Sequence, residues 1–94
     1  MIISFDQDKR ERNLVKHGLD LADGGLVLRG VVYEQPDDRR DYGEDRWISI
    51  GLLRGEVVVC VFAEYEDQFR IISLRRADSD ERRTYEAYLA GHHG

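Results

Sequence analysis

The stretch Arg46–Arg76, "RWISIGLLRGEVVVCVFAEYEDQFRIISLRR", decides the fold. "RWISIGLL" alternates, with Arg46, Ile48, Ile50 and Leu52 on one face and Trp47, Ser49 and Gly51 on the other. That period of two is a strand with one buried side. "RG" at 54–55 is a hairpin turn into "EVVVCVFAEY", which is apolar on both faces and therefore reads as a central strand. "EDQ" turns the chain again into "FRIISLRR". Alternation in this last strand sets Ile72 and Leu74 toward the core, and Ser73 and Arg75 on the opposite face. The same alternation separates Arg75 from Arg70 and Arg76. A hydroxyl and a guanidinium on an exposed sheet face suit a ligand better than they suit solvent.

Working outward, "IISF" (2–5) reads as a short strand and Asp6 as the cap of a polar helix, "QDKRERNLVKH", closed by Gly18. Asp20 caps a second helix, weakened by Gly24 and Gly25, with a stripe of Leu21, Ala22, Gly25 and Leu26. "VVYEQ" (31–35) is a strand and "PDDRRDYGED" (36–45) a loop. Asp78 and Glu81 have capping-box spacing before a helix carrying Tyr85, Tyr88 and Leu89. The expected architecture is α+β: a mostly antiparallel sheet, N-terminal helices and a C-terminal helix on one face, and the other face open. Residues 1–94 are expected to form one domain, with "GHHG" (91–94) a tail given no function.

The net charge is −5, on its face the wrong sign for a nucleic-acid binder. Its distribution is uneven. Lys plus Arg against Asp plus Glu is 4 to 3 over residues 1–17, 5 to 12 over 18–68 and 5 to 4 over 69–94. The acidity is thus central and the ends are slightly basic. No apolar run approaches the ~20 residues of a membrane span, and no signal peptide is visible. Cys60, the single cysteine, lies in the apolar run and reads as a packing thiol, so a cytoplasmic protein is expected.

The candidate chemistry is sparse. His17 has a charge change near neutral pH and suits a general base, but Lys16 and His17 also complement the end of a helix dipole. Glu44 and Arg46, two apart, suit a base and a phosphate clamp, or a salt bridge at the sheet edge. Tyr85 fits the core of its helix or a site beside it. His92 and His93 are the one close histidine pair, and neither CxxC nor HExxH occurs, so no metal site and no cofactor is expected.

Three motifs in order carry a resemblance: "FDQDKRERNLVKHGLDLADG", "DRRDYGEDRWISIG" and "RIISLRRADSDERRTYE". They include Asn13, Lys16, His17 and Gly18, then Glu44, Arg46, Ile50 and Gly51. Together they are similar to the BrnT family of type II toxins over nearly the whole chain. Leu74, where a small residue is usual, and Gly24–Gly25 depart from the pattern. The resemblance implies a RelE-like fold and a ribonuclease that arrests translation. It also implies a cognate antitoxin, ribbon-helix-helix-like and of BrnA type, through which alone the toxin meets operator DNA. Metal-free cleavage is then expected, the ribose 2′-OH attacking its own phosphate. Arg75 and Arg46 would stabilise the transition state, with His17 or Glu44 as base. Arg70, Ser73, Lys16 and Tyr85 would bind the RNA substrate. A non-enzymatic or degenerate module, acting only in partner binding and operon control, is the alternative.

Overall fold

The computed structural model describes residues 1–92. The chain runs β1 (Ile2–Phe5), α1 (Gln7–His17), a 3-10 turn (Leu21–Asp23), α2 (Gly24–Leu28), β2 (Tyr33–Pro36), β3 (Arg46–Leu53), β4 (Glu56–Tyr65), β5 (Gln68–Arg76) and α3 (Ser79–His92). The five strands lie in the order β1-β5-β4-β3-β2. Strands β2 to β5 form the expected antiparallel meander, joined by one loop and two short turns, with the doubly apolar β4 in the middle. Arg54 and Gly55 both take positive φ (49° and 82°), the backbone of a tight hairpin turn that keeps the strand twist. The sheet as a whole is mixed rather than antiparallel, because β1 joins the outer edge of β5 in parallel. A parallel pairing needs a long connection, so no local turn signal announces it.

α1 forms where its caps predict. The Asp6 side chain accepts from the Lys9 N–H, and Gly18 closes the helix in the left-handed region at φ 69°. The second expected helix is instead a 3-10 turn followed by the five-residue α2. Its glycines have a packing reason. A Cβ on Gly24 would lie 2.8 Å from the Ile71 side chain, and one on Gly25 would lie 3.0 Å from Ile3. The pair lets the segment settle directly onto β5 and β1.

Beneath α1 and α2 lies the main core, with Leu21, Val27, Val58, Cys60, Phe62, Ile71 and Leu74 all buried. Burial and the nearby Glu34 carboxylate push the Cys60 thiol up to about 12, which leaves it an inert packing group. The opposite face is not wholly open, as the sequence suggests, because α3 crosses part of it. Tyr85, Ala77, Ile50 and Val59 make a second core there, extended by Tyr33 and Leu89. The capping box forms as expected: the Glu81 N–H donates to Asp78 (2.8 Å) and the Asp78 N–H to Glu81 (2.9 Å).

One irregularity changes which side chains share a face. Between β4 and β5 the register slips, so that Val61 pairs with Ser73 but Phe62 with Ile71, leaving Ile72 as a bulge. Ile71 and Leu74, not Ile72 and Leu74, therefore occupy the main core. Residues directly opposite in a sheet point to the same side. Arg70, opposite Ala63, thus shares the partly open face with Ser73 and Arg75, whereas strict alternation would have hidden it on the other.

Candidate functional site

The face that α3 leaves uncovered carries a groove of about 350 Å³. Ser73 and Arg75 of β5 line it, along with Arg39, Gln35 and Glu81. Arg75 is partly exposed, its side chain retaining 38% accessibility. Its guanidinium donates two hydrogen bonds of 2.8 Å to the two oxygens of Glu81. Glu81 is thereby held below its usual carboxylate range, mainly by that hydrogen bond. Because Glu81 also closes the capping box, the position of Arg75 is fixed by the start of α3. The neighbouring Arg76 points elsewhere: it donates to Glu56 (2.7 Å) and to the carbonyl of His17 (3.0 Å). Of the two adjacent arginines, one faces the groove and the other pins the end of α1.

Lys16 and His17 reach the same strand from its outer side. β1 pairs with β5 only up to Ile71, so the edge beyond would be bare. Asn13 fills it. Its side-chain amide donates to the Leu74 carbonyl (2.8 Å) and its oxygen accepts from the Leu74 N–H (3.2 Å), as a further strand would. The same amide donates to the Leu19 carbonyl (2.8 Å), and Asn13 is buried. α1 is thus bolted to β5, and a second groove of about 300 Å³ opens between them, lined by Lys16, His17, Ile72 and Ser73 among others. The imidazole of His17 is shifted below its usual value by burial first, then by the positive charges of Lys16 and Arg75. At neutral pH it is therefore an uncharged base. Ser73 lines both grooves and joins them.

Glu44, Arg46 and Arg70 are brought together, but elsewhere. Arg46 donates to Glu44 (2.8 Å), and Arg70 donates to both oxygens of Glu44 (2.7 and 2.8 Å). Arg46 also stacks over the Tyr42 ring, 4.0 Å from its centroid. This cluster shares the face of Arg75, but Arg70 lies opposite Ala63 and Arg75 opposite Val59. Four residues of strand separate them, roughly 13 Å. A depression of about 680 Å³ beside the cluster sets Asp41, Glu44, Asp45 and Glu64 against the single cation Arg70. Its sign repels a polyanion. Glu44, its carboxyl pushed low first by the Arg46 hydrogen bond and then by Arg70, is a poor base.

Tyr85 belongs to the second core. It is buried, and its hydroxyl donates to the Val31 carbonyl at 2.7 Å, so it has no free group to offer a substrate. Arg39, a groove residue that the sequence did not single out, is held by the buried Asp37 through two hydrogen bonds of 2.7 and 2.8 Å. Its loop shows no periodicity, and only the folded chain brings it beside Arg75. No cluster of three or more His, Cys, Asp or Glu side chains suited to a metal occurs among the described residues. His93 of the tail pair lies outside them. No helix among the described residues is long and apolar enough to cross a membrane.

Residues 5–81 match the family described as "Ribonuclease toxin, BrnT, of type II toxin-antitoxin system". No curated protein matches the chain.

Proposed function

Since the chain belongs to the BrnT family of type II ribonuclease toxins, we propose that it cleaves RNA without a metal, at the junction of the two grooves around Ser73. A toxin of a type II system has an antitoxin protein as its partner. The observation that carries the site is the grouping on the two sides of β5: Ser73 and Arg75 in one groove, Ser73 with Lys16 and His17 of α1 in the next.

In the mechanism we favour, neutral His17 takes the proton of a ribose 2′-OH. The freed oxygen attacks the adjacent phosphorus in line, and the bond to the 5′-oxygen breaks. That leaving oxygen takes a proton from solvent water, so the products are a 2′,3′-cyclic phosphate and a free 5′-hydroxyl. The phosphate gains negative charge in the transition state. Arg75 turns toward it, exchanging part of its pairing with Glu81 for the phosphoryl oxygens, and Lys16 adds a point charge. The Ser73 hydroxyl orients a phosphoryl oxygen. Arg46, Arg70 and Glu44 neutralise one another and brace the far end of the face, outside the chemistry. The partner is an antitoxin of the ribbon-helix-helix kind, which covers the grooves and brings the complex to operator DNA. Cleavage of cytoplasmic RNA then halts translation whenever the antitoxin is lost.

Purified protein incubated with a mixed-sequence transcript in EDTA tests the proposal. New ends bearing cyclic phosphate are expected, and Arg75→Ala, shown folded by circular dichroism, leaves the transcript intact. Full cleavage by that variant would remove Arg75 from the mechanism. A wild-type protein that binds its partner tightly but never cuts RNA would favour the non-enzymatic module.

A further inference from the structure

The chain neutralises most of its own cations. Of 14 Lys and Arg residues, eight arginines are in ion pairs with Asp or Glu. The remaining six, 14 − 8, are Lys9, Arg12, Lys16, Arg29, Arg40 and Arg82, none of which has an ion pair among the described residues. Three of these six, including both lysines, line the groove between α1 and β5 together with His17. The other three lie apart, in α3, after α2 and in the loop before β3. Positions 9, 12 and 16 recur at helical spacing and share one face of α1. They extend along roughly 10 Å of its axis. In a protein of net charge −5, this unneutralised strip is the exception. The strip shares its groove with Ser73, which also lines the Arg75 groove. Lys9 and Arg12 are not among the groups assigned to cleavage, and both are exposed.

We infer that the α1 side of this groove is a second phosphate subsite, in which Lys9 and Arg12 hold the backbone of the RNA strand flanking the bond to be cut. The inference rests on the ribonuclease function proposed above. Both side chains are donors without acceptors, so they grip phosphate and read no base. An acidic protein segment would match the sign of the strip as well. Single-stranded RNA is favoured because Ser73 lines both this groove and the Arg75 groove, so one continuous backbone can occupy the two.

The double variant Lys9→Gln/Arg12→Gln tests this in two measurements. The first is the affinity for a labelled, fully 2′-O-methylated single-stranded RNA, which binds but offers no 2′-OH nucleophile, across a range of KCl concentrations. Loss of two phosphate contacts lowers the slope of log K against log salt by about 1.4. The second is steady-state cleavage of a mixed-sequence transcript. KM rises roughly tenfold, the combined weight of two solvent-exposed charge contacts, while kcat stays within about twofold. An unchanged salt slope overturns the subsite and leaves the strip to an acidic protein partner or to none. A fall in kcat at constant KM also overturns it, by making these residues part of the chemistry. If the wild-type protein cuts no RNA yet the slope falls as expected, the cleavage proposal fails and the subsite stands.

Discussion

The two ends of one sheet face hold similar residues under opposite regimes. At the far end, Arg46 and Arg70 share the single carboxylate of Glu44, and Asp41, Asp45 and Glu64 line the depression beside Arg70. At the near end, Arg75 has one carboxylate partner, Glu81, and the adjoining groove gathers Lys16 and His17 with no carboxylate among its lining residues. An arginine on an exposed strand is therefore no guide to function until its partners are known. The far cluster satisfies itself. The near end keeps positive charge to spare, and that difference is the reason the chemistry is proposed there.

The comparison can be broken by substitution at either end. The largest effect belongs to His17→Gln, which removes the proposed base and lowers kcat by about 10²–10⁴-fold. In the wild type, the lowered imidazole pKa keeps His17 neutral at pH 7. Activity therefore persists below the usual histidine value of 6.5 and falls only at more acidic pH. A pH–rate profile whose acid limb survives in His17→Gln would clear His17 of that role. Arg75→Ala comes next, with cleavage down by about 10²–10³-fold, the cost of losing one preorganised transition-state donor.

Asn13→Ala acts through structure. It strips partners from the buried N–H and carbonyl of Leu74, for about 2–4 kcal/mol of stability by urea titration. Because Asn13 holds α1 against β5, activity falls with it even where the variant remains folded. Smallest is Glu44→Gln, with about 1 kcal/mol lost from a partly exposed cluster and cleavage within roughly tenfold of wild type. A larger catalytic loss there than in Arg75→Ala would reverse the two ends. Acid tests the near end independently. Glu81 has a folded pKa below its ordinary 4.5, so its pairing with Arg75 contributes fully above that pH. The contribution drains away as pH falls through the lowered value, and Glu81→Gln flattens that part of the stability profile.

Much of this was legible in the sequence because it is local. Asp6 and Gly18 bound α1, Arg54–Gly55 makes the hairpin, Asp78–Glu81 opens α3, and an apolar β4 sits in the centre. Ser73 and Arg75 share a face because alternation holds on their side of the bulge. What escaped depends on distant partners. Nothing in "RIIS" marks Ile72 as a bulge, so strict alternation puts Arg70 on the wrong face. The parallel pairing of β1 with β5, and the close approach that demands Gly24, join residues more than forty positions apart. Asn13 acts as a surrogate strand through a partner 61 residues away. Tyr85 had two compatible places on its helix, and only the packing of α3 across the second face decides for the core. Among the arginines, the sequence shows the charges but not which carboxylates silence them.

The central claim, that the near end cuts RNA and the far end only braces it, meets its most direct test in one assay. Wild type, Arg75→Ala and Glu44→Gln are incubated with the same transcript in EDTA, and the new 3′ ends are mapped. Wild type and Glu44→Gln should both yield 2′,3′-cyclic phosphate ends at the same positions, with Arg75→Ala yielding almost none. Cleavage by wild type that chelation abolishes, or by Arg75→Ala but not by Glu44→Gln, would contradict the account.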